Sequence, residues 1–544
     1  MKHLIISSLL IFCYLTGNAQ GTEKYFTLSK DAKKRFPSQF YMNSQGGVDV
    51  EMQLKGNKEN YRYETYSFKA DLSEPTTNIF ETPHTDWKKL SDEDKKTYEI
   101  SESDYVDARI GGTTSFTVLN KALYVRKVHV TTVYNKKTGQ SMNKYSSSDA
   151  TKLKDDASEK YVAFSANPNY SNGSTIVLVS SKEKGSYKLL TISADLSIKE
   201  SSIELPEPAT LVYETLMNDN GEEVTDFEKG NWYLLFAPKE GSVNPNKYTL
   251  LKVNNKAEVV QKSEINMPVP AVIIYGLYSN GKSLYFTGGT FPKEKFYKFK
   301  PYRDICMTFD GTQLYMHEYL QQNANDECSS FVIVKQTEGK TDWVSETSIK
   351  EFKSLAKPSE GGKTIPYKGQ FIQLSSGGIF GNYFAVTGQG VEFSLFGKFT
   401  FKYKDAFTFL VDNNTGKIAS QYTLNTKSKD DKFGVYFKLP SYLKASNDGK
   451  SIHCVTFENE AREEETTDFH AFINGYQSFT YIPCYYPAVS TIDLTSLKQT
   501  KLVYPGNGEY KSKSVESYWV GSEKGFVFLG FEGKEKAMLY KYDY

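Results

Sequence analysis

Tryptophan is nearly missing from this 544-residue chain, at 4 residues, and histidine, at 6, is almost as scarce. Beyond the N-terminal His3 the histidines are His84, His129, His317, His453 and His470, and no two of them make an H-x-H or H-x-x-x-H pair. A local metal motif is therefore absent, although ligands gathered from distant parts of the chain leave His317, His453 and His470 as candidates. Net charge is missing too. Without Lys2, which sits in a processed-looking leader, 65 basic residues balance 65 acidic ones, so no global field draws in nucleic acid or an anionic membrane. After the first 15 residues no run is long and apolar enough to cross a bilayer as a helix. Motifs are missing as well: there is no G-x-S-x-G elbow, phosphate-binding P-loop, dinucleotide fingerprint or H-E-x-x-H. Carboxylates are so common that a glycosidase-type pair cannot be singled out.

The N-terminus has the physics of a secretory signal. Lys2 supplies a positive start, Leu4 to Leu15 is a short apolar run, and Gly17-Asn18-Ala19 offers small residues for cleavage. Residues 1–19 are expected to be removed, leaving Gln20 first, and the ending Gly-Asn-Ala-Gln resembles the signals of Gram-negative exported proteins. That resemblance implies a periplasmic or secreted protein. Cys13 follows the bulky Phe12, which disfavours attachment of a lipid. Four cysteines then remain, and an even count in an exported chain suggests two disulfides, most simply Cys306–Cys328 and Cys454–Cys484. Four cysteines allow three pairings, and small buried thiols are the alternative.

What the chain has in excess is aromatic residues, 15%, with 40 Tyr and 35 Phe, which suit a pleated, half-buried surface. It also repeats a phrase: a short apolar strand, a polar turn of Asp, Asn, Gly or Lys, then a second strand. The phrase is KLLTISADLSIKESSIEL from Lys188, YTLLKVNNKAEVVQKSEI from Tyr248 and FTFLVDNNTGKIASQYTL from Phe407, with looser forms from Ser67, Val332 and Val489. Repetition of this size argues for stacked or radially arranged β units. If the strand before each turn is the third of four, such strands fall near Tyr63–Phe68, Val128–Tyr134, Tyr187–Ile192, Tyr248–Val253, Phe331–Val334, Ala406–Val411, Ser490–Leu494 and Ala537–Tyr542. The second is the least regular, since KALYVRKVHVTTVYNKKTG reads equally as one long strand.

Upstream hairpins at Ser279, Asn447 and Ser522 feed aromatic strands, and two of them carry Asn-Gly or Asp-Gly. The final residues KAMLYKYDY form a third-type strand with no outer partner, a place that Lys24 to Leu28 can fill. The pattern resembles β-propellers generally, without a Trp-Asp ending or paired blade glycines. The resemblance implies an all-β fold: a single β-propeller over 20–544, with seven or eight four-stranded blades and a ring closed by the N-terminal strand. Insertions are expected near 83–104, 291–330, 348–370 and 458–487. Two short helices are predicted within them, Thr85 to Ile100 and Ser348 to Ala356.

Two segments are candidates for recognition. Between Phe457 and Pro487 an acidic run, Glu458 to Glu465, gives way to Tyr476, Phe479, Tyr481, Tyr485 and Tyr486, and exposed rings of this kind stack on sugars or on a protein partner. The plainer reading is a satellite aromatic cluster over one blade. In Phe393 to Asp405, Lys398, Lys402 and Lys404 alternate with aromatics and suit an acidic polysaccharide, whereas edge-strand lysines that block pairing are the simpler account. The basic stretch from Phe291 is read the same way. Asp412-Asn413-Asn414-Thr415-Gly416 spaces oxygens as a calcium loop does, but it coincides with the recurring turn and lacks the later Glu. No other cofactor is expected. The reading that follows is an exported, non-catalytic propeller that binds a protein or glycan through loops on one face. The alternative is a propeller glycoside hydrolase or polysaccharide lyase with an axial site.

Overall fold

The structure, a computed structural model, describes residues 21–543 except 34, 36, 57–59, 84–90, 112–121, 137–140, 150, 154–160, 163–165, 182–185, 293–303, 310–311, 318–326, 359–363, 395–399, 425–441, 461–469, 474–475, 480–483, 501–502, 504–518, 523–524 and 533–535. The strands form eight antiparallel blades in a ring, so the protein is an eight-bladed β-propeller. Blade 1 contains Pro37–Met42, Val48–Leu54, Asn60–Ser67 and Thr76–Pro83. Blade 2 contains Tyr98–Gly111, Ala122–Asn135 and Ser141–Ser147, with Thr151–Leu153 also on the second strand. In blade 3, Ala166–Asn169 and Tyr161–Val162 share the first position, before Ser174–Ser181, Tyr187–Ile192 and Ile198–Ile203. Blade 4 contains Ala209–Met217, Asn231–Pro238, Lys247–Val253 and Val259–Asn266. Blade 5 contains Val272–Ser279, Ser283–Thr290, Ser330–Thr337 and Lys340–Ser348. Blade 6 contains Ile372–Phe380, Tyr383–Ser394, Thr400–Asp412 and Ile418–Leu424. Blade 7 contains Tyr442–Ala445, Ser451–Glu460 and Cys484–Asp493, extended by bridges from Gln499 and Val503. Blade 8 contains Trp519–Ser522, Gly525–Glu532 and Lys536–Asp543, completed by Thr22–Thr27 from the other end of the chain.

First strands lie innermost. Trp519–Ser522 touches Pro37–Met42, and Ala209–Met217, Val272–Ser279, Ile372–Phe380 and Tyr442–Ala445 touch in succession. A blade covered on both faces must be apolar on both, and NWYLLFAP in blade 4 is buried at every residue from Trp232 to Pro238. The closing strand is the one expected, pairing from Thr22 with Lys541 to Thr27 with Lys536. Phe26 anchors it, with its ring 5.3 Å from Tyr66 and 5.0 Å from Phe68.

The repeated phrase joins the third and fourth strands, and its chemistry is local. Asp412 Oδ1 accepts from the Asn414 and Thr415 amides, Asn254 Oδ1 from Lys256 and Glu258, and Asp493 Oδ1 from Thr495 and Ser496. A left-handed residue then completes the turn: Gly416 (φ 74°), Ala257 (φ 61°) or Leu497 (φ 54°). Four tyrosines form joints between blades. Tyr187 OH donates to the Ala209 carbonyl and accepts from the Leu211 amide; Tyr248 OH donates to the Pro270 and Val272 carbonyls and accepts from the Val272 amide. Tyr285 donates to Asn413 Oδ1 of blade 6, and Tyr422 to the Leu497 carbonyl of blade 7.

Several expectations are corrected. Val128–Tyr134 belongs to a second strand, part of a long hairpin in which Tyr98 to Gly111 pairs with Asn135 to Ala122. The predicted helix from Thr85 to Ile100 is helical only at Asp92–Lys95 among the described residues, and Tyr98 already starts a strand, because Tyr-Glu-Ile-Ser favours the pleated state. The second helix is present as Ile349–Glu351 and Phe352–Leu355, with a capping box between Ser348 and Glu351. Neither expected disulfide forms, since Cys328 and Cys454 are free, buried thiols. Cys454 faces Ser490 across the blade 7 ladder while Cys484 faces Glu460, six positions further along. Six positions span about 20 Å, against the roughly 7 Å that a disulfide can bridge.

Candidate functional site

Every blade repeats one strand direction, so all links from second to third strand leave the ring on the same face. The recurring turns, between third and fourth strands, leave on the other. In three consecutive blades this 2–3 link is enlarged. Blade 5 inserts the hairpin Asp304–Phe309 and Thr312–His317 between Thr290 and Ser330. In blade 6 the fourth strand covers only Ala406 to Val411, and the ladder runs on past it from Val391–Tyr403 to Ser394–Thr400. In blade 7 the ladder continues to Glu460–Cys484 and carries a further hairpin, His470–Ile473 with Tyr476–Phe479.

The expected recognition residues collect on these hairpins. Lys402 pairs with Glu392, one register step from Phe393 opposite Phe401. Tyr485 pairs with Asn459 and Tyr486 with Glu458, so the start of the acidic run and the end of the aromatic run are two sides of one ladder, while 461–469 lie outside the described residues. Tyr476 faces Ile473 and Phe479 faces His470. Lys398 and Tyr481 lie outside the described residues. Cys306 faces Tyr315 in the blade 5 hairpin.

The base beneath them is closely packed. One apolar core runs through blades 4, 5 and 6, with Phe331 stacked on Phe409 at 4.7 Å and Tyr285 on Phe384 at 4.2 Å. At the neck of the blade 5 insertion Thr290 and Ser329 hydroxyls meet at 2.7 Å, and the Cys328 amide donates to the Gly369 carbonyl. Cys328 Sγ lies 3.5 Å from Tyr367 OH, which donates to the Gln370 carbonyl. Burial raises the Cys328 thiol and pushes Cys454 up to about 12, so both stay protonated and unreactive. Sequence reasoning missed this neck, because Tyr275, Cys328 and Tyr367 are brought together only by the fold.

Among the described residues no group of three or more His, Cys, Asp or Glu side chains converges as a metal site. His453 is buried against Tyr542 with Nδ1 3.0 Å from Thr491 Oγ1, and His129 Nδ1 lies 2.6 Å from Asp104. In the calcium-like loop, the Asp412 oxygen caps the turn and Asn413 Oδ1 accepts from Tyr285. No helix among the described residues is long and apolar enough to cross a membrane.

No known family profile matches the sequence, and no curated protein does. Solved structures that are similar include cobalt-substituted ACO of Synechocystis, at 9% identity and TM-score 0.33, over 80% of this chain and 88% of that one. Another is a subtype N10 neuraminidase-like protein of A/little yellow-shouldered bat/Guatemala/060/2010, at 8% identity and TM-score 0.25, over 82% and 98%. A third is BBS1N in complex with ARL6DN, at 9% identity and TM-score 0.22, over 82% and 97%. Likenesses this loose carry no information about chemistry.

Proposed function

We propose that this propeller is an exported, non-catalytic binding protein that takes a protein or glycan ligand on the face from which the enlarged hairpins of blades 5, 6 and 7 project. The observation that carries this reading is their grouping: three adjacent blades extend the same link on the same face, two of them above the apolar core that runs through blades 4 to 6. Long connections on a rigid scaffold are where propellers and other repeat folds place recognition. Mixed Tyr, Phe, Lys and Glu along the ladders suits a contact surface better than a buried satellite cluster. Residues 1–19 act as the cleaved signal in this reading.

The test is binding of the chain from Gln20 onward to a glycan array and to envelope proteins, with turnover assayed on every hit. Saturable binding without product, lost when 461–483 is replaced by a two-residue turn, is the expected outcome. Product formation, or binding that ignores the trimming, would overturn it.

A further inference from the structure

Seven of the eight seams between blades are filled by an apolar core. Val50 and Met52 pack with Leu529 and Leu539 between blades 8 and 1, and Val106 and Val125 with Val177 and Leu190 between blades 2 and 3. Comparable clusters join blades 3 and 4, 4 to 6, 6 and 7, and 7 and 8. Among the described residues no such cluster joins blades 1 and 2.

Register explains what stands there instead. Val48, Val50, Met52 and Leu54 face blade 8, so Glu51 and Gln53 face blade 2. Glu51 pairs with Thr65 and Thr65 with Asn78; Gln53 pairs with Tyr63 and Tyr63 with Phe80. These two rows belong on a surface that a propeller normally seals, yet Gln53 and Asn78 are exposed and Tyr61, Tyr63 and Phe80 are only half-buried. The rings of Tyr63 and Phe80 lie nearly parallel, 5.3 Å apart at 19°, with Tyr61 6.4 Å from Tyr63. At the floor Glu51 is 2% exposed. Its Oε1 accepts from Ser38 Oγ at 2.7 Å, while Oε2 has no partner. A buried acceptor left unmatched calls for a donor from outside the protein.

From this geometry we propose that the seam between blades 1 and 2 is a binding cleft for a neutral glycan chain. Tyr63 and Phe80 stack on each other, and the electron-rich outer face of that stack attracts the slightly positive C–H face of one pyranose. Gln53 and Asn78 offer amide donors and acceptors to ring hydroxyls, and a hydroxyl can donate to Glu51 Oε2. The three strands of blade 1 place no Lys or Arg on this face, and on the facing side of blade 2 Arg126 is held by Asp107 at 2.7 Å, which disfavours an anionic polymer.

The test uses calorimetric titration of the whole chain with cellohexaose, xylohexaose, mannohexaose and laminarihexaose. At least one should bind saturably, and Tyr63→Ala and Phe80→Ala should each weaken it roughly tenfold or more, as loss of about 1.4 kcal/mol of stacking implies. Both positions are partly exposed, and an unchanged melting temperature separates lost contact from lost fold. Glu51→Gln, which keeps an acceptor, should bind more tightly than Glu51→Leu. Failure of all four sugars to bind overturns the proposal, as does binding that neither ring substitution alters. Binding lost on trimming 461–483 but kept in Tyr63→Ala would leave the hairpin-face reading standing and remove this one.

Discussion

The hydroxyl of Tyr248 makes three backbone contacts across a blade boundary from a side chain with 0% exposure. Tyr248→Phe keeps the ring and strands those groups, so it should cost about 1–3 kcal/mol in urea denaturation. Titrating residues give a second check. Burial holds His453 below its ordinary value of 6.5, with Asp448 opposing weakly. Its neutral form is the native one, so that stability is fully present above about pH 6.5 and is lost as pH falls toward the lowered native pKa. Comparing urea midpoints at pH 5 and 7.5 should show a smaller acid loss in His453→Gln than in the parent. The turn caps Asp71, Asp195, Asp412, Asp448 and Asp493 are held below 3.8 by local hydrogen bonds, so their contribution persists above that pH and disappears in stronger acid.

At the scale of single elements the hairpin turns are the most readable part of the chain. In blade 5, Glu338 (φ 51°) and Gly339 (φ 80°) form a two-residue turn between Thr337 and Lys340. Both central positions are left-handed, a geometry that suits Asn-Gly and strains Glu. Glu338→Asn, at an exposed site, should add about 0.5–1 kcal/mol, visible as a raised melting temperature. Third strands are legible for the same reason: those of blades 1, 3, 4, 6 and 7 lead into Asx-capped turns that the residues themselves specify. Blade 2 misleads because Ala122–Asn135, followed by a polar Lys-Lys-Thr-Gly, looks like a third strand, yet it is the second, paired with Tyr98–Gly111 before it and Ser141–Ser147 after it. The candidate site was half legible. Its aromatic and basic residues stand out in composition, but the pairing of Tyr486 with Glu458 is a matter of ladder register, and register also separated the cysteines.

For the whole molecule, closure is the decisive event. Thr22–Thr27 removes the free edge of Lys536–Asp543 and ties the chain ends into one blade. Phe26→Ala should cost about 3–5 kcal/mol, because the ring is 7% exposed and wedged against Tyr66 and Phe68. Thermal unfolding of the variant should begin earlier than in the parent, with blade 8 the first to lose amide protection in hydrogen exchange. The open seam belongs to this scale as well. Alternation alone marks Glu51, Gln53, Tyr61 and Tyr63 as one face of a sheet, and only the order of blades around the ring says that this face should have been sealed.

Composition, turn chemistry and period-two alternation settle locally, and they determined the all-β class, seven of the eight third strands, and the closing role of the N-terminal strand. They are legible because each depends on a few neighbouring residues. The tertiary structure alone decided the blade number, the free state of Cys328 and Cys454, the gathering of three long hairpins on one face, and the burial of Glu51 with an unmatched oxygen beside blade 2. Those depend on which strands meet across long stretches of chain, and that is set by packing of whole blades around a closed ring.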